Sequence, residues 1–159
     1  MVIFENQYID ILKFVKEAPY IVEEEVLIKN CVIDKIAIVG GSFSKKIQIL
    51  NSVINEFDAE GRYFEDGLIM SNCIFNTSIT FEAGGHNKEN AEIRIENNVF
   101  NCYVDFFDAH FGGPFVFKSN ILHKGSNLLG NKGLSVETRL MASVEIENNI
   151  GDVYVRDGE

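Results

Sequence analysis

The sequence predicts one all-β domain folded as a solenoid, in which short parallel strands of each turn stack on those of the next. Three observations predict this fold class. An eight-residue segment with apolar residues at alternate positions recurs six times among the 159 residues. Each copy contains a residue suited to a sharp corner. The composition, with sixteen Asn and thirteen Gly but only two Pro, favours strands and turns over long helices.

The first element is predicted to be a capping helix. Over residues 6–18 one helical face carries the apolar residues Tyr8, Ile11, Leu12 and Val15, and Pro19 would end the helix. Such a helix would keep the strand edges of the first turn from pairing with other chains. The single domain is therefore divided into a capping helix at residues 1–20 and a solenoid at residues 21–159.

The repeat predicts the length and number of the turns. Its copies are VLIKNCVI from Val26, IQILNSVI from Ile47, LIMSNCIF from Leu68, IRIENNVF from Ile93, FVFKSNIL from Phe115 and VEIENNIG from Val144. The starts are 21, 21, 25, 22 and 29 residues apart, so one turn takes about 21 residues and the longer spacings contain loops. Six copies predict about six coils, each opening with a strand that has one buried face.

Each copy bends at a residue that tolerates the left-handed backbone region. We expect a structural ladder of side-chain amides along these corners, formed by Asn30, Asn51, Asn72, Asn97 and Asn148, with Ser119 at the remaining position. The residues of the next column are small or carry an amide, which suits a position that points into a narrow interior. They are Cys31, Ser52, Cys73, Asn98, Asn120 and Asn149.

The rest of each turn is predicted to hold two further strands. The third strand is expected at residues 36–39, 57–60, 79–81 and 104–106 in the first four coils. Residues 125–143 form a loop insertion with enough Leu and Met to fold over part of the coil. Because no second amphipathic segment follows Val155, we expect self-association through the C-terminal coil.

The phrases IRIENNVF and VEIENNIG resemble the parallel β-helix repeat of pectin-lyase-like proteins, and the likeness covers about residues 21–155. The resemblance implies a right-handed parallel β-helix. The first two coils also resemble pentapeptide-repeat proteins, since Ile28, Ile33, Ile38 and Phe43 are five residues apart. Their coil is one residue longer than in that family, and Val32 replaces its usual Asp or Asn. The general right-handed β-helix is therefore the preferred interpretation.

Acidic residues lie on the outer side of the predicted third strands. With Phe57 and Ala59 inward, the outward acids of successive coils are Asp58, Glu60, Glu82, Asp105 and Asp108. A solvated acidic face is the favoured interpretation. Polysaccharide lyases of the resembled fold hold Ca²⁺ with acids on the corresponding face beside a basic residue. The resemblance therefore implies Ca²⁺ at Asp58 and Glu60, with Arg62 as the base.

His110 is the other candidate for catalysis, because Asp105 and Asp108 could orient it as a general base. The alternative is a loop histidine packed beside phenylalanines, which is favoured because no nucleophile accompanies it. No catalytic residue is therefore assigned, and no metal-ligand spacing or phosphate-binding motif predicts a cofactor. The three cysteines, Cys31, Cys73 and Cys102, are predicted to be free, with Cys31 and Cys73 too far apart for a disulfide.

The formal charge of −10 argues against direct binding of nucleic acid, which needs clustered Lys and Arg. Without a signal peptide or a long apolar run, a cytoplasmic protein with no membrane partner is expected. The preferred function is a non-catalytic module that binds another protein. One alternative is a protein that binds carbohydrate or cleaves polysaccharide, as a lyase or glycoside hydrolase, with Tyr63, Tyr103 and Phe107 as its exposed aromatics. The second is an acidic inhibitor that mimics DNA.

Overall fold

Parallel strands stack in three columns around a single core, which confirms the predicted all-β solenoid. The structure is a computed structural model and describes residues 1–15, 21–39 and 42–157. Within these ranges nineteen strands occur, numbered β1 to β19 in chain order, and the pairings between them are parallel. The same ranges contain no helix, and therefore none that could span a membrane.

The first side of the solenoid is a seven-stranded sheet built from the repeat. Its strands are β1 (Val2–Glu5), β4 (Val26–Lys29), β7 (Ile47–Leu50), β10 (Leu68–Ser71), β12 (Ile93–Glu96), β16 (Phe115–Lys118) and β19 (Val144–Glu147). Equivalent residues of neighbouring copies are paired, so that Met70 lies between Ile49 and Ile95. The register predicted from the repeat is confirmed, and like residues form columns along the axis.

The second and third sides are made of shorter and less regular strands. The second side contains β2 (Tyr8–Val15), β5 (Val32–Val39), β8 (Val53–Asp58), β11 (Ile74–Thr80), β13 (Val99–Phe100), β14 (Val104–Asp105) and β17 (Ile121–Leu122). The third side contains β3 (Ile21–Val22), β6 (Ser42–Phe43), β9 (Tyr63–Phe64), β15 (His110–Phe111) and β18 (Arg139–Leu140). Five turns thus have a strand on all three sides, and a bridge from Tyr63 through Gly85 to His110 continues the third side between β9 and β15.

The predicted N-terminal capping helix is wrong. Residues 6–15 form a corner and strand β2, while residues 16–18 lie outside the described residues. The segment VIFENQYI at residues 2–9 is a further copy of the repeat, with Asn6 at its corner, and its strands pair with β4 and β5. Backbone pairing along two strands outweighs a local helical pattern.

The apparent helical pattern of this segment has a physical cause. At the bend of β2 two consecutive residues, Asp10 and Ile11, are exposed, so the residues packed on the core are Ile9, Leu12 and Phe14. Tyr8 and Ile11, which belong to the predicted helical face, are exposed apolar residues, so that face combines residues from both surfaces of the strand. The same bend recurs at Asp34 in β5, between the buried residues Ile33 and Ile36.

In-register stacking also arranges the phenylalanines of the interior. The rings of Phe43 and Phe64 lie 5.9 Å apart and nearly parallel, and those of Phe81 and Phe106 lie 5.0 Å apart at 6°. Strands about 4.8 Å apart place equivalent side chains one above the other, which favours offset stacking of aromatic rings. The cysteines Cys31, Cys73 and Cys102 are buried free thiols, as predicted.

The corner residues of the first side have the left-handed conformation that the sequence predicted. Their φ angles lie between 50° and 56°, at Asn6, Asn30, Asn51, Asn72, Asn97, Ser119 and Asn148. These side chains are exposed, and Nδ2 of Asn30 donates to Oδ1 of Asn6 at 3.1 Å. The buried amide ladder runs one residue later, where Nδ2 of Asn120 donates to Oδ1 of Asn149 at 3.0 Å. The chain turns inward directly after the corner, so this later column faces the interior.

A second ladder runs along the outside at the bend of the second side. Nδ2 of Asn55 donates to Asp34 at 2.9 Å, Asn76 donates to Asn55 at 2.9 Å, and Asn101 donates to Asn76 at 2.8 Å. The predicted insertion at residues 125–143 is mostly turns, and it also supplies β18, which pairs with β15 on the third side.

Candidate binding surface

The predicted acidic residues lie at the junction of the second and third sides. Asp58 of β8 pairs with Thr80 of β11, and Thr80 pairs with Asp105 of β14. Phe57 and Ala59, on either side of Asp58, are both buried. The alternation predicted for this strand is therefore confirmed, with these acids on the outer surface.

Asp58 and Asp105 hold turns of the backbone. Each carboxylate accepts a hydrogen bond from the N–H two residues later, at Glu60 and Phe107, with distances of 3.3 and 2.9 Å. Thr80 accepts in the same way from Glu82 at 3.1 Å, and Asp152 accepts from Tyr154 at 2.7 Å. This column therefore consists of Asx and ST turns. Asp or Thr recurs at this position of successive turns because either side chain can cap the same turn.

Three other carboxylates, those of Glu60, Glu82 and Asp108, lie beside this column. The N–H of Gly61 donates to the carbonyl of Glu82 at 2.7 Å, which places Glu60 and Glu82 in neighbouring turns of the solenoid, just after strands β8 and β11. The N–H of Ala83 donates to Phe107 at 2.8 Å, which places Asp108 in the following turn. Within the described ranges these three carboxylates accept no hydrogen bond and form no ion pair.

The electrostatic consequence is visible at Glu82. Partial burial raises the pKa of its carboxyl, and the negative charges of Asp105, Glu60, Asp157 and Asp108 raise it further. Several other glutamates are paired with bases, as in Lys35–Glu56 at 3.0 Å and Lys88–Glu65 at 3.3 Å. The group around Glu82 is therefore an uncompensated negative region among the described residues.

A column of three neighbouring rings lies on the third side, in the same turns as the three carboxylates. The ring of Tyr63 lies 4.2 Å from that of His86, and the rings of His86 and His110 are stacked at 5.2 Å. Tyr63 and His86 are exposed, and His110 is half-buried. Burial lowers the pKa of His86, and the neighbouring His110 lowers it further, against the opposite effect of Asp108. The ring-and-carboxylate surface is defined here as Glu60, Glu82, Asp108, Tyr63, His86 and His110.

The two residues considered for catalysis have different surroundings from those expected. Nε of Arg62 donates to the carbonyl of Ile38 in the preceding turn, at 2.6 Å. His110 belongs to the ring column, with its ring against His86. Neither residue is brought to a nucleophile by any contact of the described residues, and their catalytic roles stay predictions.

Calcium binding gains no support from the geometry. Among the residues that the structure describes, no group of three or more His, Cys, Asp and Glu side chains is arranged to hold a metal ion. Asp58 is engaged in its turn, and Glu60 lies beside it. Calcium at these two residues therefore stays a prediction.

Asp157, which no sequence pattern indicated, anchors the C-terminal segment. Its carboxylate accepts from Nδ2 of Asn127 at 2.8 Å, from Nδ2 of Asn131 at 2.5 Å and from the hydroxyl of Tyr103 at 3.2 Å. Asn127 and Asn131 are both buried, so Asp157 satisfies donors that would otherwise be costly. Asp157 does not lie at a position of the repeat, so no pattern indicates it. Tyr63 and His110 lie at equivalent positions of their turns, and this equivalence could have indicated the ring column.

The parallel solenoid predicted from the repeat is established by the strand pairings. Comparison with known proteins found no protein-family model, no curated protein and no solved structure that matches this chain.

Proposed function

We propose that this protein is a non-catalytic interaction module that uses the ring-and-carboxylate surface to bind a cationic segment of another protein. The observation that carries the proposal is the unpaired state of Glu60, Glu82 and Asp108 within the described residues, beside the raised pKa of Glu82. Arginine or lysine side chains of a partner would offset the repulsion between these carboxylates.

The ring column supports a cationic partner for a second reason. Tyr63 is 41% exposed and offers an aromatic face next to the carboxylates. A guanidinium group can stack on such a face while its N–H groups reach a carboxylate. The carboxylates and the rings therefore favour the same chemical group, and arginine fits both better than lysine does.

Rigidity of the surface also favours binding. The six side chains come from successive turns, whose backbones are joined by hydrogen bonds such as Gly85 N–H to Arg62 O at 2.8 Å and His110 N–H to Gly84 O at 2.9 Å. Groups held in place before binding lose less conformational entropy when a partner binds.

The test is a titration of the full chain with a short arginine-rich peptide at physiological salt, followed by calorimetry. The double variant Glu60→Gln, Glu82→Gln should weaken binding by about tenfold, since it removes two charge-assisted contacts. Tyr63→Ala should weaken it by about threefold through loss of the ring face. The matched control is Glu23→Gln, Glu24→Gln, which makes the same change in net charge at exposed acids elsewhere.

Equal weakening by the two double variants would show that the peptide responds only to net charge, and the proposed surface would be wrong. Unchanged binding in both double variants would show that neither pair of glutamates contributes, and the proposed surface would again be wrong. Retained affinity in the control with loss in the Glu60 and Glu82 variant would support the proposal.

Carbohydrate binding is a second candidate, favoured by the exposed ring of Tyr63 beside carboxylates that can accept hydrogen bonds from sugar hydroxyls. Tyr103 and Phe107 are half-buried, and the Tyr103 hydroxyl is bonded to Asp157. A neutral oligosaccharide such as cellohexaose is the appropriate probe, with Tyr63→Ala as the variant expected to abolish its binding.

Four expectations from the sequence stay predictions. They are a closer relation to pectin-lyase-like or pentapeptide-repeat proteins, polysaccharide cleavage, mimicry of DNA, and self-association through the C-terminal coil. The surface described above supports none of them over a cationic protein partner. A cytoplasmic location is likewise a proposal.

A further inference from the structure

A cleft of about 390 Å³ lies between β18 and the loop that precedes it, next to His110 of the ring-and-carboxylate surface, which pairs with Arg139. Its apolar lining consists of Leu128, Leu129, Leu140 and Met141. Leu128 is buried in the core, and Leu129 and Leu140 pack against the core from the cleft side. The volume falls within the range of small-molecule sites, about 300 to 1,000 Å³.

Two polar side chains of the lining already form hydrogen bonds within the protein. Oε2 of Glu137 accepts the N–H of Gly133 at 2.6 Å, and the hydroxyl of Thr138 donates to the carbonyl of Phe106 at 3.0 Å. The first contact lies within the loop, and the second fixes the loop against the solenoid. They also leave Glu137 with less capacity to neutralise nearby cations by direct contact.

The cations of the cleft are Lys132 and Arg139, both exposed. Within the described ranges, neither side chain forms a hydrogen bond or ion pair. Positive charge therefore exceeds negative charge in the lining, although the whole protein has a formal charge of −10. An anion would be attracted to this part of the surface and repelled by most of the remainder.

We propose that the cleft binds a small organic carboxylate with an aliphatic body. Arg139 can hold a carboxylate through two parallel N–H···O bonds, and Lys132 adds a second positive charge. The aliphatic part of the ligand lies on Leu129, Leu140 and Met141 and removes their apolar surface from water. The cleft adjoins the ring-and-carboxylate surface, because Arg139 pairs with His110, but the cleft ligand is an anion, whereas the partner proposed for that surface is a cation.

The test uses octanoate as the probe, added to the full ¹⁵N-labelled chain while backbone amide signals are followed by NMR. Shifts should concentrate in residues 128–141. Octan-1-ol has the same tail without the charge, and acetate has the charge without the tail. Both should bind at least about tenfold more weakly than octanoate, because each lacks one of the two contributions.

Variants identify the residues responsible. Arg139→Gln should weaken octanoate binding by about tenfold, and Lys132→Gln by about threefold. Lys124→Gln removes an exposed cation from the same region outside the cleft lining and should leave the affinity unchanged. Signals far from residue 139 should keep their positions in Arg139→Gln, which shows that the fold is retained.

Three results would overturn the proposal: equal affinity for octanoate and octan-1-ol, equal weakening by Lys124→Gln and Arg139→Gln, or shifts concentrated outside residues 128–141 and the neighbouring strand β15. None of them would bear on the arginine-peptide titration, whose variants lie at Glu60, Glu82 and Tyr63. The failure of one proposal can therefore be told from the failure of the other.

Discussion

Asn98 and Asn120 are joined by two hydrogen bonds across one turn of the solenoid. Oδ1 of Asn120 accepts the backbone N–H of Asn98 at 3.0 Å and its side-chain Nδ2 at 3.2 Å. Nδ2 of Asn120 donates to the carbonyl of Ile95 at 3.0 Å. Asn120 has no exposed surface, so all of these bonds are formed out of contact with water.

Asn120→Ala is expected to lower the free energy of unfolding by about 3 kcal/mol, because buried donors and acceptors of Asn98 and Ile95 lose their partner. Asn101→Ala is the matched control on the outer ladder, where the amide is exposed and donates to Asn76. Its cost should be about 0.5 to 1 kcal/mol. Urea unfolding of both variants measures the difference, and equal losses would contradict the role assigned to the inner ladder.

Ser119→Asn is expected to stabilise the protein. Ser119 occupies a corner with a φ of 55°, where the equivalent residues of the other first-side corners are Asn. Asn tolerates the left-handed region better than Ser, so a gain of about 0.5 kcal/mol is expected. Thermal unfolding should show a higher Tm. Ser119→Val should lower it, and a Tm unchanged by both substitutions would show that the corner conformation does not limit stability.

Asp157→Asn should loosen the C-terminal segment. The amide of the new asparagine would direct an N–H group at the Nδ2 donor of Asn127 or Asn131. Because two donors cannot bond to each other, the free energy of unfolding should fall by about 2 kcal/mol. Hydrogen exchange should accelerate at Ser126 and Leu129, whose N–H groups donate to Asp152 and Val153 at 2.8 Å in both cases. Unchanged exchange at both amides would contradict the anchoring role.

The same substitution has a spectroscopic consequence at Tyr103. Burial raises the pKa of its hydroxyl, and the charge of Asp157 and its hydrogen bond raise it further. Removing the charge of Asp157 should therefore lower the pKa of Tyr103. Ultraviolet titration of the phenolate measures this change, with Tyr154→Phe as the background that removes an exposed tyrosine signal.

Glu82→Gln is expected to change the dependence of stability on pH. The folded-state pKa of Glu82 is raised, so its ionised form is disfavoured in the folded protein. Its contribution to stability is full below the unfolded-state pKa of a glutamate and is lost as pH rises through the folded value. Glu82→Gln should therefore be more stable than the parent at neutral pH, by less than about 1 kcal/mol because water still screens the repulsion at this half-buried site.

At a pH below the ordinary range of glutamate, the advantage of Glu82→Gln should disappear. Chemical denaturation at both pH values measures the two differences. Glu56→Gln provides the contrast, because it breaks the ion pair with Lys35 and removes no uncompensated charge. A parent protein more stable than Glu82→Gln at neutral pH would contradict the repulsion described here.

Much of the fold could be predicted because the repeat is a local pattern of eight residues that recurs from turn to turn. Strands of the first side, the left-handed corners at Asn30 and Asn72 and the burial of Phe57 all follow from alternation and the period. The N-terminal segment was misassigned because the exposed pair Asp10 and Ile11 interrupts that alternation. A bend in a strand and a turn of a helix give similar spacings over ten residues.

The candidate site was predicted only in part. Sequence placed the acidic residues on one outer face but could not separate Asp58 and Asp105, which cap turns, from Glu60, Glu82 and Asp108, which do not. That separation depends on which N–H groups the backbone presents after each strand. The stacking of His86 between Tyr63 and His110 likewise depends on loop conformations, since the turns that contain them differ in length.

The sequence by itself determined the period, the strand register and the corner positions, because each depends on residues a few positions apart and is repeated in every turn. The tertiary structure alone decided that Asp157 closes a buried network, and that three rings lie beside three carboxylates that form no ion pair within residues 1–15, 21–39 and 42–157. These features depend on hydrogen bonds and contacts between residues more than twenty positions apart, which no local pattern encodes.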